Sequence, residues 1–223
     1  MIKKYRWLNY LGQIRIYSFL DLLFFVFAIT RDGRFVIGIG LLWLGFLAYL
    51  ESRHHDKLRL AVSNYLWIFF LLGAIAAKIP IWLCLVFSVC SYFYAKKKQG
   101  VFWGATSPFW RAGQNSLIAL AYAPALVLVV FVITGLRNLI GDWRDVYFDK
   151  KEGLKTIPVL LGVTKNQPWA YYAHLGLVCL TTGFWFYYAQ LDPRWLILVV
   201  IVQIASYPLT PRLSNPKYLD IYS

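Results

Sequence analysis

Asp142, Asp145, Asp149 and Glu152, four of the chain's ten acidic residues, fall within eleven positions at the end of a long apolar run. At helical spacing the three aspartates stand at i, i+3 and i+7, which predicts three carboxylates on one face with Asn138 one turn earlier. Like charges stacked this way repel. The compensation that best fits them beside an apolar segment is an oxygen-seeking divalent cation that also holds a phosphorylated ligand. Magnesium prefers one or two carboxylates plus substrate phosphates, and three aspartates supply such an anchor. Arg137, Arg144, Lys150 and Lys155 are the local cations that would help neutralise a diphosphate, so that its C–O bond to an allylic carbon can ionise. An aromatic content of 19% offers π faces that exclude water and stabilise positive charge. The plainer reading is a solvated loop in which the carboxylates pair with Arg144 and Lys150.

The segments that must carry these groups are set by composition. Sixty per cent hydrophobic residues, 15% charged residues and a mean hydropathy of +0.55 lie outside the range of water-soluble domains, where apolar residues make up roughly 45–50%. Unpaired amides are intolerable in hydrocarbon, and continuous apolar runs favour helices over a barrel. The expected fold is therefore all-α: a polytopic membrane bundle, one transmembrane domain over residues 1–223, with no soluble domain. A formal net charge of +13 would suggest nucleic acid on a soluble protein. Here Lys and Arg cluster in short loops, the positive-inside pattern, which argues against nucleic acid and for anionic headgroups. Cys84, Cys90 and Cys179 have no metal-ligand spacing and read as buried small hydrophobes. The basic start, Met1 to Arg6, lacks a following cleavage site and is expected to be retained.

At about 20 residues per crossing, spans are expected near 11–30, 34–50, 59–77, 79–95, 113–140, 169–190 and 194–210. Arg31 to Arg34, Lys78 to Pro80 and Asp192 to Arg194 are short enough for tight links. Between them lie longer loops at 51–60, 96–112 and 142–168. All three are rich in Lys and Arg, so charge bias puts them together on the cytoplasmic side. A single crossing between the second and third would separate them. Residues 101–140 must therefore cross twice or re-enter, with Pro108 and Pro124 as breakpoints, giving seven or eight spans.

The run Asp142-x-x-Asp145-x-x-x-Asp149-Lys-Lys-Glu-Gly153-x-Lys155-Thr156-x-Pro158-x-x-x-Gly162 closely resembles the second aspartate motif of the UbiA superfamily of intramembrane prenyltransferases. The match covers residues 137–162; outside it the likeness is looser and includes the basic Lys96-Lys97-Lys98 cluster after the fourth span. The resemblance implies that Asp145 and Asp149 hold magnesium bridging to a prenyl diphosphate, with Asp142 as a further ligand or a group just behind it. It also implies transfer of the isoprenoid to a lipophilic or aromatic acceptor in the membrane.

The family's first motif, Asn-x-x-x-Asp-x-x-x-Asp, is not reproduced. Its place reads Leu47-Ala48-Tyr49-Leu50-Glu51-Ser52-Arg53-His54-His55-Asp56-Lys57, and neither register restores the asparagine. Glu51 and Asp56 are the candidate opposing metal ligands. His54 and His55 read as interfacial residues, since magnesium prefers oxygen. The Arg-Pro pair that commonly follows the first motif is also missing.

Arg15, Asp21 and the Gln114-Asn115 pair lie inside apolar segments, where polar groups are costly; Arg15 and Asn115 are candidate substrate contacts. Snorkelling of Arg15 and a helix-to-helix bond from Asn115 are the structural alternatives. The chain falls short of the nine spans typical of the family, so a second copy, a partner membrane protein or a rearranged bundle is expected to close the cavity. Two other functions stand beside transfer: a catalytically degenerate relative that binds an isoprenoid or a partner protein, and a CDP-alcohol phosphotransferase. The last needs an Asp-Gly-x-x-Ala-Arg element before the aspartate pair, and none precedes Asp145. A transporter would need paired broken helices around a midplane site, which the sequence does not display.

Overall fold

The computed structural model describes residues 14–53, 65–210 and 213, with the side chains of residues 51–53 and Lys98 left aside. Among the described residues every regular element is helical. In chain order they are α1 (Ile16–Thr30), α2 (Gly33–Arg53), α3 (Leu66–Ala76), α4 (Ile81–Ala95), α5 (Val101–Tyr122) and α6 (Val127–Arg144). The short helices α7 (Val146–Lys151) and α8 (Ile157–Leu160) follow, and then α9 (Pro168–Tyr188) and α10 (Pro193–Ser206).

The three short links fall where turn chemistry expects them. Asp32 accepts from the backbone N–H of Arg34 at 2.9 Å, satisfying an orphan donor at the start of α2. Asp192 does the same for Arg194 at the start of α10, where Pro193 occupies the first turn. Arg31, Lys78 and Gln190 take the left-handed backbone conformation that ends a helix, with φ of 55, 64 and 52°.

The chain forms two compact units. Of the described residues, one takes those up to Cys84 together with 178–210 and 213; the other is Leu85–Leu177. In the first unit α2 packs on both α1 and α3, and α10 packs on α1. Its core includes Leu22, Val26, Ile39, Trp43 and Phe46, and Phe25 meets Trp185 with ring centroids 4.8 Å apart. A buried polar chain runs through this unit: Asp21 accepts from the hydroxyls of Thr181 (2.8 Å) and Thr182 (3.1 Å), and the Gln203 amide donates to Thr182 (2.6 Å). Asp21 thus serves to join α1 to α9 and α10.

In the second unit α5 and α6 form the principal helix pair, joined through Ala123 and a 3-10 turn at Pro124–Leu126. Pro124 is the breakpoint that the sequence led us to expect. Pro108 is not. Helix α5 runs through it and begins at Val101, so most of the expected loop at 96–112 is helical. Proline at 108 cannot donate to the carbonyl of Gly104, but the Ser107 hydroxyl does so at 3.0 Å. Residues 101–144 therefore hold two helices.

Among the described residues two helices, at Gly33–Leu50 and Pro124–Arg144, are long and apolar enough to cross a membrane. Shorter apolar helices occupy Ile16–Thr30, Leu66–Ala76, Ile81–Ala95 and Pro193–Leu209. Only 17% of the Pro124–Arg144 segment is buried. Large apolar side chains such as Leu128, Leu180 and Ile197 face outward, a surface that suits hydrocarbon better than water.

Candidate functional site

The acidic motif is assembled within the second unit from the end of α6, the whole of α7 and the turn that follows α4. Asp142 sits in the last turn of α6. At Asp145 the backbone leaves the helix briefly (φ −105°, ψ 12°) before α7 begins. Because Asp145 N–H still reaches Gly141 and Asp149 N–H reaches Asp145, at 3.1 and 3.0 Å, the break is only a small kink. Asp142 and Asp149 keep a common side.

Lys97, from the 3-10 turn Lys96–Lys98, points its ammonium between those two carboxylates: Nζ donates to Asp142 Oδ1 at 2.6 Å and lies 3.6 Å from Asp149 Oδ2. The Asp149 side chain is fully buried, and those of Asp142 and Lys97 are nearly so. Burial alone would lower the lysine's pKa. The Asp142 and Asp149 charges overcome that and hold it above the usual lysine range. Lys96 is disposed differently, with its ammonium over the rings of Tyr92 (4.6 Å) and Trp103 (5.2 Å).

Asp145 takes another partner. Arg144 grips it with two parallel bonds, Nε to Oδ1 and Nη2 to Oδ2, both at 2.8 Å, and both residues are buried. The expectation of three carboxylates sharing one face thus resolves into a pair on Lys97 and a third on Arg144. The plain reading of the sequence named Arg144 correctly as a partner. It missed Lys97, which only the basic run at 96–98 signalled, without saying which lysine would turn inward.

The rest of the motif shapes the backbone. Gly153 (φ 75°) and Gly162 (φ 81°) end α7 and α8, and the following N–H groups return to the carbonyls of Asp149 (2.8 Å) and Pro158 (3.0 Å). Gly104 of α5 lets the Lys155 backbone lie against that helix, because a Cβ there would fall on the Lys155 carbonyl. Thr156 is fully buried at the start of α8. Asn166 accepts from the N–H of Tyr147 at 3.0 Å, a contact that the motif did not announce.

Of the other candidates, Arg137 is half-buried on α6, whereas Lys150 and Lys155 are exposed. Asn115 joins α5 to α6 through Thr134 at 3.3 Å, the structural role weighed for it above. Arg15 stands half-buried at the N-cap of α1 with φ 50°. Glu51 belongs to the last turn of α2, but its side chain, like all of His54, His55 and Asp56, lies outside the described residues.

Among the described residues no three acidic, His or Cys side chains gather closely enough to hold a metal by themselves. Asp142 and Asp149 nevertheless fit a magnesium ion that is completed by phosphate and water. Both supply oxygen only, and Asp142 Oδ2 is buried with no hydrogen-bond partner among the described residues. Comparison with protein-family profiles, with curated proteins and with solved structures finds no match.

Proposed function

We propose that this chain is a multi-pass membrane protein of the UbiA type that binds a prenyl diphosphate and transfers its isoprenoid chain to a lipophilic or aromatic acceptor. The observation that carries the reading is the buried Lys97–Asp142–Asp149 cluster, built by a motif at the end of an apolar helix pair. Asp142 and Asp149 would hold magnesium, which when bound offsets diphosphate charge. Lys97 and Arg137 would donate to phosphate oxygens, and Arg144 keeps Asp145 placed. In the transfer the C–O bond breaks with its electrons going to diphosphate. The acceptor's nucleophilic atom then bonds to the allylic carbon and releases a proton. The stacked rings of Phe93, Trp103 and Trp110, with centroids 5.0 and 4.6 Å from Phe93, offer the kind of dry π surface that such a carbon needs.

Helix order supports a bundle of seven or eight spans. Two helices, α3 and α4, separate the loop after α2 from Lys96–Lys98, and two more, α5 and α6, separate that turn from the acidic motif. If each crosses, all three loops lie on one face, and their positive charge makes that face cytoplasmic.

A second reading is a non-catalytic relative that binds an isoprenoid or a partner protein. It draws on the altered first motif and on the balance already struck within the chain by Lys97 and Arg144. Calorimetric titration of the purified chain with geranylgeranyl diphosphate, with and without magnesium, tests both. Transfer requires magnesium-dependent binding that Asp149→Asn abolishes, together with release of pyrophosphate when an acceptor is supplied. Binding without any release across an acceptor panel would select the second reading. Absence of binding would overturn transfer and leave only the partner-protein form of the second reading; unchanged binding by Asp149→Asn would overturn the role given to the Asp142–Asp149 pair.

A further inference from the structure

The first unit carries an open groove of about 720 Å³ where the end of α1 faces the α9–α10 link. Its floor is apolar, formed by Phe186 and Leu196, and Gly183 leaves a lane along it, since a Cβ there would meet nothing within 4 Å. Its rim is polar: Arg31, Gln190 and the outward-facing Tyr187. Apolar floor and cationic, hydrogen-bonding rim together match an amphiphile with an anionic head.

Two further observations sharpen this. Arg31 and Gln190 both hold left-handed backbone, φ 55 and 52°, at helix ends where glycine avoids the steric cost. In both places the chain carries instead a long polar side chain that lines the same groove. The nearby acids are also engaged elsewhere: Asp32 accepts from Arg34 N–H, and Asp192 accepts from the Arg194 guanidinium at 2.6 Å. Neither acid lines the groove, and Arg31 is the cation among its described lining residues.

We propose that this groove binds the phosphate head and upper acyl chain of an anionic phospholipid. The proposal rests on the chain lying in a bilayer and is independent of prenyl transfer. Arg31 and Gln190 would donate to phosphate oxygens, Tyr187 would sit at the headgroup level, and the acyl chain would follow the Gly183 lane over Phe186 and Leu196.

Native mass spectrometry of the full chain in detergent, titrated with phosphatidylglycerol and with phosphatidylcholine of the same acyl chains, tests it. The wild type should retain one phosphatidylglycerol at concentrations where phosphatidylcholine is lost. Arg31→Gly removes one charged contact and should weaken retention about tenfold or more. Its melting temperature should hold or rise, because glycine takes φ 55° without strain. Gly183→Leu fills the lane and should weaken retention similarly. Arg34→Gln, a charge loss in the same link but off the groove, should not. Equal retention of both lipids, or full retention by Arg31→Gly, overturns the proposal, as does a second copy of the chain, and not lipid, as the bound mass. Magnesium-dependent diphosphate binding, scored on the same samples, should be unaffected by all three substitutions, so a failure here is separable from a failure of the prenyltransferase reading.

Discussion

Replacing Lys97 by methionine keeps the length of the side chain and deletes the charge that holds Asp142 and Asp149 together. The exposed fractions of the three side chains are 12%, 10% and 0%, so solvent screens the cluster very little. Removing one partner of a buried ion pair costs about 3–5 kcal/mol, because a charge is left uncompensated in a poor solvent. Asp142 has an escape, because burial lifts its carboxyl to about 6 even beside Lys97. Taking up a proton at pH 7 therefore costs only about 1.4 kcal/mol, which, with the lost attraction to Asp149, holds the loss to about 2–3 kcal/mol. At about 2–4 °C per kcal/mol for a chain of this size, the melting temperature should fall by about 4–12 °C. Tryptophan-fluorescence melts in detergent would read it. Two further arms isolate the cause. Lys97→Met combined with Asp142→Asn should regain about half of the loss, since one buried carboxylate becomes a neutral amide of the same shape. Magnesium at about a hundred times its dissociation constant should raise the stability of Lys97→Met by about 2.7 kcal/mol if Asp142 and Asp149 accept the metal in place of the ammonium. A Lys97→Met protein that melts within about 2 °C of wild type would refute the reasoning, because the cluster could not then be both buried and mutually dependent.

Gly104→Ala should destabilise by about 1–3 kcal/mol, because the new Cβ meets the Lys155 backbone, which is anchored on both sides by the turn after α7 and by α8; the same melts would show it. Ser107→Ala should cost about 1 kcal/mol by leaving the Gly104 carbonyl above Pro108 without its donor, a loss that threonine, but not valine, would avoid at 107. The pH response of Lys97 has a definite sign: its pKa is raised by folding, so its contribution is fully present below the unfolded value of about 10.4 and is lost only as pH rises past it. Burial already lifts the Asp142 carboxyl to about 6, and loss of Lys97 lifts it further. From pH 6.5 to 9 the variant must therefore ionise a carboxyl that is already ionised in wild type, and the gap in melting temperature between wild type and Lys97→Met should widen. A gap that shrinks within that interval would contradict the assigned pairing.

The helical class was legible because a helix satisfies its own backbone and because hydropathy is a property of neighbours along the chain. The break at Pro124 and the tight links at 31–34, 78–80 and 192–194 follow from local turn chemistry in the same way. Pro108 misled for an equally local reason that is harder to weigh: whether a proline breaks a helix depends on what becomes of the carbonyl four residues earlier, and the Ser107 hydroxyl rescues it.

From the sequence alone come the helices, their short links, the apolar character and the grouping of Asp142, Asp145 and Asp149 near one helix end. Tertiary structure alone decided that Lys97, and not Lys96, turns to Asp142 and Asp149, while Asp145 goes to Arg144. It likewise decided that Asp21 is met by Thr181 and Thr182, 160 and 161 residues away. The difference is physical. Periodicity orders groups along one helix, but the choice between competing cations for a buried carboxylate depends on which ammonium packing brings within 3 Å and which aromatic faces hold the others aside.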